Sequence, residues 1–225
     1  MSRLVVSLAV MLSFAWPAGA QDPVKIDPSH HKVELENEYV RVLRITFGQG
    51  EKAPLHQHPG GVAVFLTDHQ ATVIPEGGAP DPTPRKRGGV LAAAATRHTV
   101  ENPGPGRSEV ILVELKAPPA ARTLAQDAAK LDPKHYTVEL ENDRVRVLRI
   151  RYGPGEKSVL HGHWPGVAIP LVDGTMRFAD KAGKTMDQSL PANSVIWETG
   201  DPHLPENLGD KPVEVVLVEL KPKTR

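Results

Sequence analysis

The sequence predicts an all-β protein built as two tandem barrels, and three observations predict it. A 32-residue stretch opening at Asp27 (DPSHHKVELENEYVRVLRITFGQGEKAPLHQH) returns 105 positions later at Asp132 (DPKHYTVELENDRVRVLRIRYGPGEKSVLHGH) with 21 identities. Within each copy, short runs of Val, Ile and Leu alternate with Gly, Pro and Asn clusters, the punctuation of strands and turns. Long helical periodicity is missing, so sheets are the layers available for burying apolar surface.

The period persists to the end of each copy. EVILVELK at Glu109 returns as EVVLVELK at Glu214, and His98 with Asn102 returns as His203 with Asn207, all 105 apart. A fixed period of this kind marks a duplicated structural unit. The pattern divides the chain into a leader at 1–20, a first domain at 22–117, a linker at 118–131 and a second domain at 132–225. In the linker, Pro118 and Pro119 break any strand, and the Ala-rich remainder can form one or two helical turns.

In each unit the first elements read as a hairpin. Residues 33–36 form one strand, Asn37 and Glu38 turn, and residues 39–47 return. Val40 and Val42 set one apolar phase, which then slips to Leu43, Ile45 and Phe47. The second copy slips at Leu148 in the same way. A one-residue slip predicts a β-bulge.

The first twenty residues have the pattern of a secretory signal. Arg3 gives a positive start, residues 4–16 (LVVSLAVMLSFAW) an apolar run, and Ala18-Gly19-Ala20 a small-residue cut site before Gln21. The run is shorter than the ~20 residues a membrane span needs. An exported, periplasmic or extracellular protein is therefore expected. The chain has no cysteine, so disulfides, thiolate metal sites and cysteine nucleophiles are excluded. With 27 basic and 27 acidic side chains, no charge bias points to nucleic acid or to an anionic membrane. Phosphate loops, nucleophile elbows and HExxH helices are absent.

Chemistry concentrates in histidines. His56 and His58 stand two apart, as do His161 and His163, and residues two apart share one face of a strand. Strand rise puts such side chains ~6–7 Å apart, and two imidazoles can lean from there onto one ion at ~2.0–2.1 Å per nitrogen. His98 and His203, each 42 positions after the first histidine of its pair, are the expected third ligands. The predicted metal ligands are thus His56, His58 and His98 in one half, and His161, His163 and His203 in the other. Their ion would be a divalent metal: Fe, Mn, Zn, Cu or Ni.

At these residues the sequence resembles the cupin superfamily. That family's first motif is similar to Gly50 followed by His56-x-His58, and to Gly155 followed by His161-x-His163. Its second motif is similar to His98 with Asn102, and to His203 with Asn207. The resemblance covers both halves and implies two jelly-roll (double-stranded β-helix) barrels, a bicupin, with histidines facing the barrel mouth and a possible homo-oligomer. It also implies a motif glutamate near Val62 or Ala63, and near Val167 or Ala168, and neither copy has one.

Other residues rank below these. Arg97, Asn102, Trp164 and Asn207 are expected to contact a small organic ligand at the rim. Glu101 and Glu206 are expected to turn outward, and Trp197 to join the core. His30 and His135 read as surface residues, and His69 as part of a hairpin turn. The function expected is a metal-dependent enzyme acting on a small molecule by oxygenase, isomerase or lyase chemistry. A non-catalytic module that binds a small ligand or metal is the competing expectation.

Overall fold

A computed structural model describes residues 21–68, 71–124 and 126–223. The expected leader at 1–20 and His69 lie outside these residues. After a single capped turn, α1 (Pro23–Ile26), the first half contains β1 (His31–Glu36), β2 (Val40–Phe47), β3 (Lys52–His58), β4 (Gly61–Phe65), β5 (Thr72–Pro75), β6 (Val90–Ala93), β7 (Thr96–Glu101) and β8 (Ser108–Leu115). A second capped turn, α2 (Ala128–Leu131), precedes β9 (Tyr136–Glu141), β10 (Val145–Tyr152), β11 (Gly166–Pro170), β12 (Gly174–Ala179), β13 (Thr185–Leu190), β14 (Ile196–Glu198), β15 (Leu204–Asn207) and β16 (Val213–Leu220).

Each half is a large sheet facing a small one. The large sheets run β1-β2-β8-β4-β6 and β14-β11-β16-β10-β9, and the small ones β3-β7-β5 and β13-β12-β15. All pairings within them are antiparallel. The fold is therefore the expected pair of all-β jelly-roll barrels.

The large sheets are buried on both faces. One face of each packs on the other half, where Val40, Val42, Val62, Val64, Ile111 and Val113 meet Val145, Val147, Val167, Ile169, Val216 and Val218 in one apolar layer. Fully burying each such side chain stabilises by about 1.5–3 kcal/mol. The other face lines the barrel's own interior through Leu43, Ala63, Phe65, Val110 and Leu112. Arginines close the rim of the interface: Arg44 donates to the Asn193 carbonyl at 2.7 Å, Arg149 to that of Gly88, and Arg87 to that of Leu171. Trp197 stacks on Tyr39 across the same boundary, with ring centroids 5.8 Å apart.

This two-sided burial explains the apolar slip in β2 differently from the sequence reading. β2 pairs with β8 in unbroken register from Val40 to Phe47. Val40 and Val42 face the other half, whereas Leu43 faces the interior. The bulge lies on the neighbouring strand, where Val33 pairs with Leu43 and Leu35 with Val42, leaving Glu34 extra. Its twin is Glu139, between Val138 and Leu140. The extra carboxylates are not wasted, since Glu34 accepts from Arg44 and Glu139 from Arg149.

Residues 126–131, inside the span read as linker, pack on the second half as residues 21–26 pack on the first. Gln21 and Gln126 accept backbone hydrogen bonds from Gln57 and Gly162, and Asp22 and Asp127 cap their turns. Ala128 is fully buried in the second interior.

At Gly61 of β4 and Gly166 of β11 the neighbouring strand approaches so closely that only glycine fits. A Cβ at Gly61 would fall 2.2 Å from the Val113 carbonyl oxygen, and one at Gly166 equally near that of Val218. Backbone cannot yield as a flexible side chain does. Gly61→Ala and Gly166→Ala are each expected to cost about 2–3 kcal/mol, read as a lower urea midpoint. An unchanged midpoint would contradict the close approach.

Candidate metal centre

Local pairing brings the first-half histidines together. β3 and β7 are antiparallel, and His56 lies opposite His98. The register shifts between Ala53 and His56, so Pro54 and Leu55 form a bulge that sends both His56 and His58 inward. Gly50, at φ +78°, makes the left-handed turn ahead of this strand, and Gly155, at φ +68°, repeats it. His56, His58 and His98 are all buried. His56 lies 4.5 Å from His98 and 4.9 Å from His58 between ring centroids, and His58 lies 5.4 Å from His98.

The structure adds a histidine that sequence reasoning missed. His31, at the start of β1, is buried with its ring 4.9 Å from that of His56 and 5.7 Å from that of His58. The ligand atoms of His31, His56 and His58 all lie within 4.8 Å of one another. His98, expected as the third corner, stands beside this triad as a fourth imidazole. The available signal for His31 was Tyr136 at the same place in the second copy, since two rings at one repeat position mark an inward site.

Neighbouring groups fix which nitrogen is free. His56 Nδ1 donates to the Pro54 carbonyl at 2.8 Å, and His31 Nδ1 to that of Asp27 at 3.1 Å. His58 Nδ1 lies 2.8 Å from the Glu114 carboxylate, which also accepts from Arg41 Nε. Arg41 in turn reaches Asp22, the cap of α1. Each Nδ1 is thus committed, which leaves Nε2 as the bare acceptor. Buried His31 Nε2 and His56 Nε2, and Nδ1 of His98, have no hydrogen-bond partner. An unpaired buried polar atom costs about 1–3 kcal/mol, and a cation coordinated by these atoms would remove that cost. The donor set therefore fits a metal ion, with Glu114 orienting His58 from behind as outer partners of metal-bound imidazoles do.

Burial also favours the neutral form, the one that coordinates, at His31, His56 and His98. Desolvation, reinforced by His56, lowers His31 to about 4, and desolvation with His56 and His58 lowers His98 to about 3. Desolvation likewise lowers His56.

The second half is built differently around the same motif. His203 lies 5.0 Å from His161 and 5.2 Å from His163 between ring centroids, and His161 and His203 exchange backbone hydrogen bonds. Among the described residues, however, only the His31 triad gathers its ligand atoms so closely. Tyr136 replaces His31 and shares a 2.8 Å hydrogen bond with Tyr152. His163 Nδ1 donates to the Trp164 carbonyl, and Glu219, the twin of Glu114, accepts instead from the Trp164 N–H and from Arg146. His161 Nδ1 donates to the Val159 carbonyl at 2.8 Å, leaving its Nε2 without a partner.

Glu198, which the sequence reading did not single out, also faces this interior. Its carboxyl walls a cavity of about 60 Å³ together with His163, His203 and Tyr136. Burial alone raises it to about 7. Desolvation lowers His163 to about 4 and His203 to about 3.

Several expected contacts have other duties. The Asn102 amide donates to the carbonyls of Phe47, Gly48 and Gly106 and accepts from Gly104, so it pins backbone, and Asn207 repeats this at Tyr152, Gly153, Lys211 and Gly209. Neither has an atom spare for a ligand. Arg97 pairs with Glu76 at 2.7 Å, on the strand face opposite to His98. Trp164 lies under the Arg146 guanidinium, 4.7 Å from its ring centroid, outside the wall of the cavity. Glu101 and Glu206 turn outward to Lys52 and Lys157. His30 and His135, read as surface, are instead held by Asp27 and Asp132 and stacked on Phe47 and Tyr152; His135 is buried.

A pH dependence follows from these groups. An imidazole whose folded pKa lies below its unfolded value of ~6.5 contributes stability that is complete above that value and is lost as pH falls toward the folded pKa. The metal-free protein is thus expected to lose several kcal/mol between about pH 6.5 and 4, measured by urea denaturation. His98→Gln should flatten that slope. Glu198 runs the other way, since a raised carboxyl pKa costs stability as pH climbs from about 4.5 to 7. Glu198→Gln should remove that component, and an unaltered pH profile would refute the assignment.

Comparison with known proteins bears on the fold. No protein-family model matches the chain, and no curated protein sequence does. Solved structures do match. AerE from Microcystis aeruginosa is 13% identical with a TM-score of 0.60, covering 84% of this chain and 96% of its own. The oxalate decarboxylase of Bacillus subtilis, described with Mn(II) centres, is 13% identical with a TM-score of 0.56, covering 88% of this chain and 77% of its own. A cupin 2 conserved barrel domain protein from Leptotrichia buccalis is 9% identical with a TM-score of 0.51, covering 85% and 88%. At these identities the likeness is one of fold, and the fold is that of a bicupin: two cupin jelly rolls in one chain.

Proposed function

We propose that this chain is an exported protein that holds a divalent transition-metal ion in its first barrel and presents that ion to a small organic molecule. One observation carries the reading: three buried imidazoles, each with Nδ1 committed, have ligand atoms gathered within 4.8 Å. His31, His56 and His58 would hold the ion, and His98 is close enough to join or to contact what binds there. Imidazole donors suit Mn, Fe, Ni, Cu or Zn better than Mg or Ca. Such an ion, when bound, polarises a coordinated oxygen. The protein's own part is to aim the imidazoles through their Nδ1 partners and to bury them away from water. Beside the histidines lies a cavity of about 350 Å³ with His58 and His98 in its wall, within the range of small-molecule sites.

Oxygenase, isomerase and lyase chemistry all use a metal face of this kind, and the similarity to an oxalate decarboxylase with Mn(II) centres agrees with it. A second reading is a binding module without turnover. It is favoured by the acid–base inventory of the first cavity. Asp81 is its one carboxylate, and Asp81 is exposed and faces Arg85.

Metal analysis of anaerobically purified protein tests the proposal. Wild type is expected to carry or take up one transition-metal ion in the first barrel, and His56→Ala/His58→Ala to lose it. His31→Ala should weaken the affinity at least tenfold, the usual scale for removing a partner of a metal site. Retained metal in the double variant ends the reading. Turnover of candidate substrates by the loaded protein separates enzyme from binding module.

Export is a separate part of the proposal, supported by the signal pattern and by Gln21, whose carbonyl already accepts the Gln57 N–H. A mature chain beginning there keeps that contact. N-terminal sequencing of the exported form should begin at Gln21; uncleaved protein confined to the cytoplasm would overturn it.

A further inference from the structure

The two barrel interiors are the same space furnished differently. Nearly every residue walling the second cavity stands 105 positions after a residue walling the first. Ile45 and Ile150, Ala63 and Ala168, and Leu112 and Leu217 are matched pairs. Yet the first cavity is about 350 Å³ and the second about 60 Å³. Three positions, two on β12 and one on β14, account for the filling. Ala71 becomes Met176, Val73 becomes Phe178, and Ala93 becomes Glu198. The register confirms that the last pair is equivalent, because Ala93 pairs with Gly61 as Glu198 pairs with Gly166. Each exchange adds three or four heavy atoms aimed at the common centre.

The wall of the open cavity also states what it would accept. Ile45, Phe47, Phe65, Val73, Val100 and Val110 surround it. Its one cationic side chain, Arg85, lies 3.6 Å from the Asp81 carboxylate and is thereby offset. The wall's own side chains thus present no unopposed Arg or Lys, and an apolar body would displace water from apolar walls.

We infer that the barrels have divided the work: the first admits a compact, largely apolar organic molecule beside its histidines, and Met176, Phe178 and Glu198 shut the second to it. As a statement about substrate class this rests on the metal reading of the first barrel. As a statement about the cavity it stands without any metal, because an apolar space of this size binds apolar molecules through its walls.

Toluene is a suitable probe, followed by ligand-observed NMR and calorimetry on the full mature chain, with and without added metal. Wild type is expected to bind one equivalent. Ala71→Met/Val73→Phe transplants the second interior into the first and should weaken binding at least tenfold while metal uptake is unchanged. Met176→Ala/Phe178→Val should create a second equivalent. Unchanged metal uptake shows that the first variant has folded, and the second variant tests the same idea from the other barrel. Failure of wild type to bind toluene, or binding indifferent to Ala71→Met/Val73→Phe, overturns the inference. Toluene bound by protein that takes up no metal supports the cavity assignment while removing the metal reading, so the two fail separately.

Discussion

Burial of each large sheet on both faces is the constraint from which the rest of this structure follows. A strand sends alternate side chains to opposite faces, so β2, β4 and β8 must satisfy two apolar surroundings at once. Their outward valines join the other half, and their inward residues wall a barrel. Apolar residues therefore dominate both faces, with paired groups such as Arg41 and Glu114 as the exceptions, and the histidines come from the smaller sheet and from the start of β1. Three of the four first-barrel imidazoles, His56, His58 and His98, sit on the smaller sheet, across from the wall that holds the halves together. Gly61 and Gly166 meet a local constraint of the same sheets, since the paired strand lies too close there for a Cβ.

Much of this was legible in the sequence because the repeat supplied two readings of every position. The strands, the pairing of His56 and His58, and the approach of His98 followed from spacing and alternation. What was not legible came from contacts across strands. The slip in β2 looked like a bulge because its pattern alone cannot distinguish a kinked strand from one buried on both sides; the bulge proved to be Glu34, on the neighbouring strand. His31 was not singled out; His30, which aligns with His135, was noted and read as surface. Repetition marks the role that His30 and His135 share against aspartates, whereas the difference between His31 and Tyr136 separates the two sites. Asn102 was expected at a ligand because it follows a histidine, but four backbone groups use its amide fully.

Glu198 was invisible for another reason. The motif glutamate was sought on β4 and β11, where it is absent. The second interior does contain a carboxylate, but it arrives from β14, across the backbone pairing with Gly166. No one-dimensional motif describes a residue contributed by an adjacent strand. Its surroundings are apolar enough that burial alone raises it to about 7, so this half buries an acid where the other half has only a methyl group.

The duplicated halves therefore share a scaffold and differ in what faces their interiors. Equal spacing keeps the strands, the glycine turns and the asparagine pins interchangeable, because backbone geometry requires them in both places. Side chains that point inward face no such requirement once one copy can serve alone. Glu114 shows how small the divergence needs to be. In the first half it receives His58, whereas Glu219 in the second half receives the Trp164 N–H and a fully engaged Arg146. Taking the carboxylate away from the histidine leaves His163 to find the Trp164 carbonyl, which turns its ring relative to the arrangement in the first half. A single redirected hydrogen bond, together with tyrosine in place of His31, is enough to make one set of imidazoles converge while the other set does not.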